Sequence, residues 1–181
     1  MKNIITNLFF VFVATITTNT TAQTRVTVND AHISVKTLKT LSSKYGIHIK
    51  DGAYWYDNLC GAWGFQNGPT QGFILSGLQV GGRLKSNASN GKTGVFVNGR
   101  QLHYQDVRSL KQIINVLPGR FWLDSRGNGG YEGRPSTFNL IYLAKKHGNN
   151  SFYRNSYTGI GAGSSGGTSY VMGKDWSVII D

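Results

Sequence analysis

Eight carboxylates, four histidines and one cysteine are the groups from which this chain could build acid–base, metal or nucleophilic chemistry. Glu132 is the sole glutamate, and Asp124 stands shortly before it. Two carboxylates could share general acid and base work on a glycosidic bond, so this pair is the candidate for catalysis. The ordinary reading of Asp124, and of Asp57 before it, is a turn carboxylate binding nearby backbone N–H groups. His32, His48, His103 and His147 show no metal-ligand spacing, so neither a metal nor a cofactor is expected. Cys60 cannot form an intrachain disulfide and sits in an aromatic stretch, where a buried, inert thiol is the expectation. Catalysis is thus left open, with the balance toward a protein that is not an enzyme.

Aromatic and basic residues are more plentiful. Tyr54, Trp55, Tyr56 and Trp63 cluster in one stretch and Trp122 and Tyr131 in another, while Arg100, Arg120 and Arg126 stand close by in the sequence. Flat rings stack on sugars or bases, and guanidinium groups bind carboxylate and phosphate. Neighbours on a strand point to opposite faces, so one face of each hairpin is expected to carry rings outward, the other to anchor the core. The formal net charge of +11 favours polyanions, among them acidic glycans, anionic membrane surfaces and nucleic acid.

An internal duplication positions these residues. Gly52-Ala53-Tyr54-Trp55-Tyr56-Asp57 matches Gly119-Arg120-Phe121-Trp122-Leu123-Asp124 position for position. Gly61 to Gln66 then matches Gly127 to Glu132 after a single-position shift, and Pro69-Thr70 matches Pro135-Ser136 at that shifted offset. Upstream, Val26-Thr27-Val28-Asn29-Asp30 parallels Val95-Phe96-Val97-Asn98-Gly99. Asn98-Gly99 reads as the tight turn of a hairpin, and Asn29-Asp30 as a weaker form of it. Each is followed by helical periodicity: Val35, Leu38, Leu41 and Tyr45 with Gly46 as terminator, then Val107, Leu110, Ile113 and Ile114 with Asp106 as cap.

The expected fold class is therefore α+β: two tandem ββαββ-like repeats, mainly antiparallel with one helix each, related by a pseudo-twofold axis and followed by a C-terminal hairpin. The expected boundaries are a signal peptide at 1–22, repeat one at 23–80, a linker loop at 81–92, repeat two at 93–148, and a Gly/Ser loop with closing hairpin at 149–181. Residues 23–181 are read as one compact domain. Lys2, the apolar run from Ile4 to Ile16 and the small residues Thr20 and Ala22 describe a cleavable export signal too short to span a bilayer. Its removal takes away one lysine and no acid, so +11 becomes +10. A helix at Leu140 to Lys146 is expected, then a connector at Gly159 to Ser169 and a hairpin around Gly173-Lys174-Asp175.

The segment Trp122-Leu123-Asp124-Ser125-Arg126-Gly127-Asn128 resembles the hairpins of choline- and glucan-binding cell-wall repeats. The strings Val-Phe-Val-Asn-Gly-Arg at 95–100, Gly-Arg-Phe-Trp-Leu-Asp at 119–124 and Gly-Tyr-Glu-Gly at 130–133 resemble uncharacterised bacterial exported proteins. The first resemblance implies sugar binding, and the second implies no named activity. Three functional readings stand: a secreted or periplasmic binding module for an envelope glycan or other anionic polymer, a small secreted glycan or peptidoglycan hydrolase using Glu132 and Asp124, and a structural or inhibitory protein docking another exported protein.

Overall fold

The computed structural model describes residues 24–146 and, beyond them, the backbone of strands within 154–180. The expected leader lies outside the described residues.

Repeat one runs β1 (Val26–Val28), β2 (Ala31–His32), α1 (Val35–Tyr45), β3 (Gly52–Tyr56), β4 (Ala62–Phe65) and β5 (Thr70–Phe73). Repeat two runs β6 (Val95–Val97), β7 (Arg100–Gln101), α2 (Tyr104–Leu110), β8 (Gly119–Leu123), β9 (Asn128–Tyr131), β10 (Phe138–Asn139) and α3 (Leu140–Lys146). The sheet orders are β2-β1-β3-β4-β5 and β7-β6-β8-β9-β10, the same order in both units. The fold is α+β and tandemly duplicated, and each unit carries one strand beyond ββαββ.

Local chemistry explains the shared order. Asn29 and Asp30, like Asn98 and Gly99, all have positive φ, which gives the two-residue turn whose twist suits a hairpin. The helix then carries the chain over the sheet, so β3 pairs parallel to β1 and β8 parallel to β6. Ser34 caps α1 by accepting from the Thr37 N–H, and left-handed Gly46 ends it. In α2 the cap is His103, not Asp106. Asp106 lies inside the first turn, and its carboxylate is spent on the other repeat.

Each unit also uses an asparagine side chain as an extra rung of its parallel ladder. The Tyr56 N–H donates to Asn29 Oδ1 at 2.9 Å, and Asn29 Nδ2 donates to the Tyr56 carbonyl at 2.8 Å. In repeat two the Leu123 N–H donates to Asn98 Oδ1 at 3.0 Å, and Asn98 Nδ2 donates to the Leu123 carbonyl at 2.9 Å.

Helix α1 covers one face of the first sheet, where Val26, Val28, Leu41, Ile47, Tyr54 and Tyr56 form a core. Val95, Leu102 and Val107 form its counterpart in repeat two, with Leu110 and Phe121 against them. The segment 81–92 has no strand, as its glycines and asparagines suggest, yet it is packed. Gly82 N–H donates to the Val28 carbonyl, Asn67 N–H to Ala88, and Gln101 N–H to Ser86, so this segment is stitched to both repeats.

Two expectations for the C-terminal region fare differently. Strands β13 (Thr168–Gly173) and β14 (Trp176–Ile180) pair antiparallel as the closing hairpin. The stretch from Gly159 to Ser169, expected as a connector, instead contains strand β12 (Ile160–Ser165), paired antiparallel with β13. Glycine and serine mark turns by composition, but they also fit a strand whose partner approaches closely. With β11 (Arg154–Asn155) these make a third sheet, and β11 and β12 lie against β5.

Candidate functional site

The two duplicated tryptophans sit on equivalent strands in unequal surroundings. Trp55 is 0% exposed, and Trp122 is only partly buried. Both point away from the helix. Their mounts are the same: Trp55 Nε1–H donates to the Gly68 carbonyl at 3.1 Å, and Trp122 Nε1–H to the Arg134 carbonyl at 2.9 Å. Opposite each stands a glycine, Gly64 and Gly130.

By strand alternation Trp55 and Trp122 are not both expected in the core beside buried flanking aromatics, and one face is expected to carry rings outward. In repeat one both faces are buried, with Tyr54 9% and Tyr56 3% exposed beside Trp55, while Trp122 in repeat two stays partly open. Tyr54 and Tyr56 face α1, and Trp55 faces the second repeat, so both sides of β3 are covered. The cover over Trp55 is Arg100, whose guanidinium lies 3.8 Å from the ring centroid, together with Ala88 and Leu84. Arg100 is itself 3% exposed. It pairs with Asp106 at 3.3 Å and donates to Thr70 Oγ1 and Ser89 Oγ. Asp106 accepts from the Thr70 N–H at 2.9 Å and from Thr70 Oγ1 at 3.1 Å. Tyr54, Trp55, Tyr56 and Arg100 are candidates for ligand contact by sequence, but this packing buries all four.

A second link crosses the junction. Asn98 Nδ2 donates to Asp57 Oδ2 at 2.8 Å, and Asp57 also accepts from the Leu59 N–H and the Cys60 thiol. Three donors satisfy a carboxylate that is 2% exposed. Cys60 is buried as expected; burial, then the nearby Asp57 charge, pushes its thiol well above the usual range. These contacts join non-equivalent positions of the two repeats, head to tail. The likeness of the units resides in their internal topology.

The catalytic candidates are both committed elsewhere. Asp124 Oδ1 accepts from the Arg126 and Asn128 N–H groups at 2.9 and 2.8 Å, and Oδ2 from Asn128 Nδ2 at 3.0 Å. Glu132 is held by Arg120 through two bonds of 2.7 and 3.3 Å. Arg120 lies over the Phe96 ring at 4.9 Å. Arg126 is exposed in the turn that Asp124 organises.

The remaining aromatics form matched pairs on the helix side of each sheet. Tyr54 and Phe65 have centroids 5.3 Å apart at 31°, and Phe121 and Tyr131 are 4.7 Å apart at 32°. Trp63 joins the first pair edge-on to Phe65 at 6.3 Å, and its Nε1–H finds no partner among the described residues. The outer ring is half-exposed in both units: Phe65 at 49% and Tyr131 at 47%. Phe65 belongs to the aromatic cluster of the first hairpin by sequence, and its place matching Tyr131 in the duplicated strings is what marks it beyond its neighbours.

No protein-family model matches the chain, and no solved structure matches it. Among curated proteins it is similar to two from Arabidopsis thaliana. It is 35% identical over 96 residues to extra-large guanine nucleotide-binding protein 1, and 30% identical over 125 residues to extra-large guanine nucleotide-binding protein 2. These matches cover 52% and 67% of this chain but 11% and 14% of the relatives, so the chain spans about an eighth of their length. The expected kinship with bacterial exported proteins and cell-wall repeats is corrected by this result, because the likeness runs to a segment of large plant proteins. The physical reason is that the glycine, tryptophan and asparagine strings specify a turn and a packed strand, which do not carry compartment or ligand with them.

Proposed function

We propose that this protein is an exported binding module that holds an envelope glycan through the duplicated half-exposed rings Phe65 and Tyr131. The observation that carries the reading is the match between them. Each stacks on an inner ring, Tyr54 or Phe121, that is fixed in a core, and each leaves about half its surface to solvent. A rigid ring braced from behind loses little freedom when a sugar face stacks on it. A polymer offers the same group repeatedly, and two equivalent rings engage it with the gain of a linked pair. The formal charge of +11 adds attraction toward an anionic chain.

Export rests on the leader-like segment 1–22, and no helix among the described residues is long and apolar enough to cross a membrane. A reporter enzyme fused behind this segment is expected outside the cytoplasm, and its retention inside would defeat this part of the reading. For the ligand, purified envelope polysaccharide is titrated onto the full chain and onto Phe65→Ala and Tyr131→Ala. Each single variant is expected to bind about tenfold more weakly, on the order of 1–2 kcal/mol per ring. Unchanged binding by folded variants rejects the ring assignment, and no binding by the native protein rejects the glycan.

A further inference from the structure

We propose that the Trp122 face of repeat two is an open copy of the socket that Arg100 fills on repeat one, and that it takes an arginine at the tip of a β-hairpin on a partner protein. The filled socket supplies the template. Its floor is Trp55 with Gly64 opposite, its wall is Thr70, and Asp57 stands at its end. A hairpin tip enters it, with Asn98 reaching Asp57 and Arg100 lying on Trp55 while bonding Thr70.

The same parts recur on repeat two. Trp122 stands for Trp55, Gly130 for Gly64, Ser136 for Thr70 and Asp124 for Asp57, each at its matching place in the duplicated strings. The close packing recurs as well. A Cβ on Gly64 would come 2.4 Å from the Pro69 carbonyl oxygen, and one on Gly130 2.5 Å from that of Pro135. Ser136 Oγ acts only as donor, to the Gly129 and Phe138 carbonyls, so its lone pairs can accept from a guanidinium as Thr70 does. Asp124 Oδ2 has one donor where Asp57 Oδ2 has two. Among the described residues no cation lies over Trp122.

What differs defines the occupant. The apolar pair Ala62 and Phe73 beside the first socket becomes the hydrogen-bonded pair Asn128 and Asn139 beside the second. Those amides are partnered with each other and with Asp124, Arg126 and Tyr142, so this rim is polar where the first is apolar, and a single arginine projecting onto Trp122 suits it better than a further apolar unit. The chain's own N-terminal hairpin does not fit, because Ala31 holds the position that Arg100 holds in repeat two. A second copy therefore brings no arginine at the required place.

The test uses the full chain labelled with nitrogen-15, the Trp122 indole N–H signal assigned through Trp122→Phe. The probe is a cyclised peptide containing residues Val95 to Leu102, with its Arg100→Lys form as control. The arginine peptide is expected to move the Trp122 signal alone. The lysine form should bind at least about tenfold more weakly despite equal charge, since it cannot stack or bond as a fork. Ser136→Ala is expected to weaken binding, and Tyr131→Ala to leave it intact while weakening polysaccharide. A still Trp122 signal, an equal response to the lysine peptide, or loss of peptide binding in Tyr131→Ala overturns the proposal. Only the last outcome bears on the glycan surface too, because it would merge the two faces.

Discussion

Arg100 of the second repeat lies flat on Trp55 of the first, with its guanidinium 3.8 Å from the ring centroid, and each side chain hides the other from water. The charge is answered by Asp106, and the polar hydrogens mainly by Thr70 and Ser89.

Removing Arg100 should therefore be severe. Arg100→Ala leaves the Asp106 carboxylate without its ion partner and opens a void over Trp55, for an expected loss of about 3–5 kcal/mol in urea denaturation. The exposed Arg120–Glu132 pair is the internal control, since Glu132→Gln should cost no more than about 1 kcal/mol. Equal losses from the two would mean that burial does not govern these pairs.

The asparagine rungs should behave alike. Asn29→Ala strands the Tyr56 N–H and carbonyl, and Asn98→Ala strands those of Leu123, so each is expected to lose about 1–3 kcal/mol. Each also strands a third acceptor, the Gly82 carbonyl or the Asp57 carboxylate, and the Asn98 variant should be the worse because the acceptor it strands is charged. Chemical denaturation of both, side by side, checks the order.

Much of this architecture was readable in the residues, and what was missed has one physical cause. The Asn98-Gly99 turn, helix α1 with its Gly46 stop, helix α3 and the β13–β14 hairpin each depend on neighbours within a few positions, where turn chemistry and periodicity act. The burial of Trp55 depends on Ala88 and Arg100, which stand far from it along the chain, Arg100 in the other repeat. No local pattern tells a strand that both its faces will be covered. Asp106 shows the same effect in reverse. As an acid near a helix start it looked like a cap, yet Thr70 across the junction and Arg100 within its own repeat compete for it and win. In the candidate site the duplicated spacing did reveal equivalent positions, and it left open which copy keeps its ring in water.

Gly64→Ala and Gly130→Ala form another matched pair. At Gly64 the new methyl would meet the Pro69 carbonyl oxygen at 2.4 Å and the Trp55 ring at 2.6 Å. At Gly130 it would meet the Pro135 oxygen at 2.5 Å, but the Trp122 ring only at 3.3 Å. Both should lower the thermal midpoint, with Gly64→Ala the more damaging, by about 1–3 kcal/mol of strain. Calorimetry on the two variants separates them.

Alkali should unfold the protein early. Burial pushes Tyr56 from 10.0 up to about 12, and burial followed by the Asp57 charge pushes Cys60 above its ordinary 9.0. Both groups stay protonated in the folded chain at a pH where the unfolded chain releases the proton. Their contribution is whole below about pH 9 and falls as pH rises through 9 to 12. Urea midpoints at about pH 8 and pH 11 should differ sharply for the native protein, and less for Cys60→Ala.

The segment from Gly81 to Lys92 has the composition of a hinge, and the bonds it makes forbid it to act as one. Ser89 and Ala88 are sealed inside, Lys85 clasps Asp30 at 2.7 Å, and carbonyls along its length serve partners on either side. Proteases should reach the exposed residues at its ends but not the Ala88–Ser89 step, which stays closed until both halves have opened. Severing the chain at this seam would deprive one fragment of the lid over Trp55 and leave the other with a bare cation, so neither half is equipped to live alone.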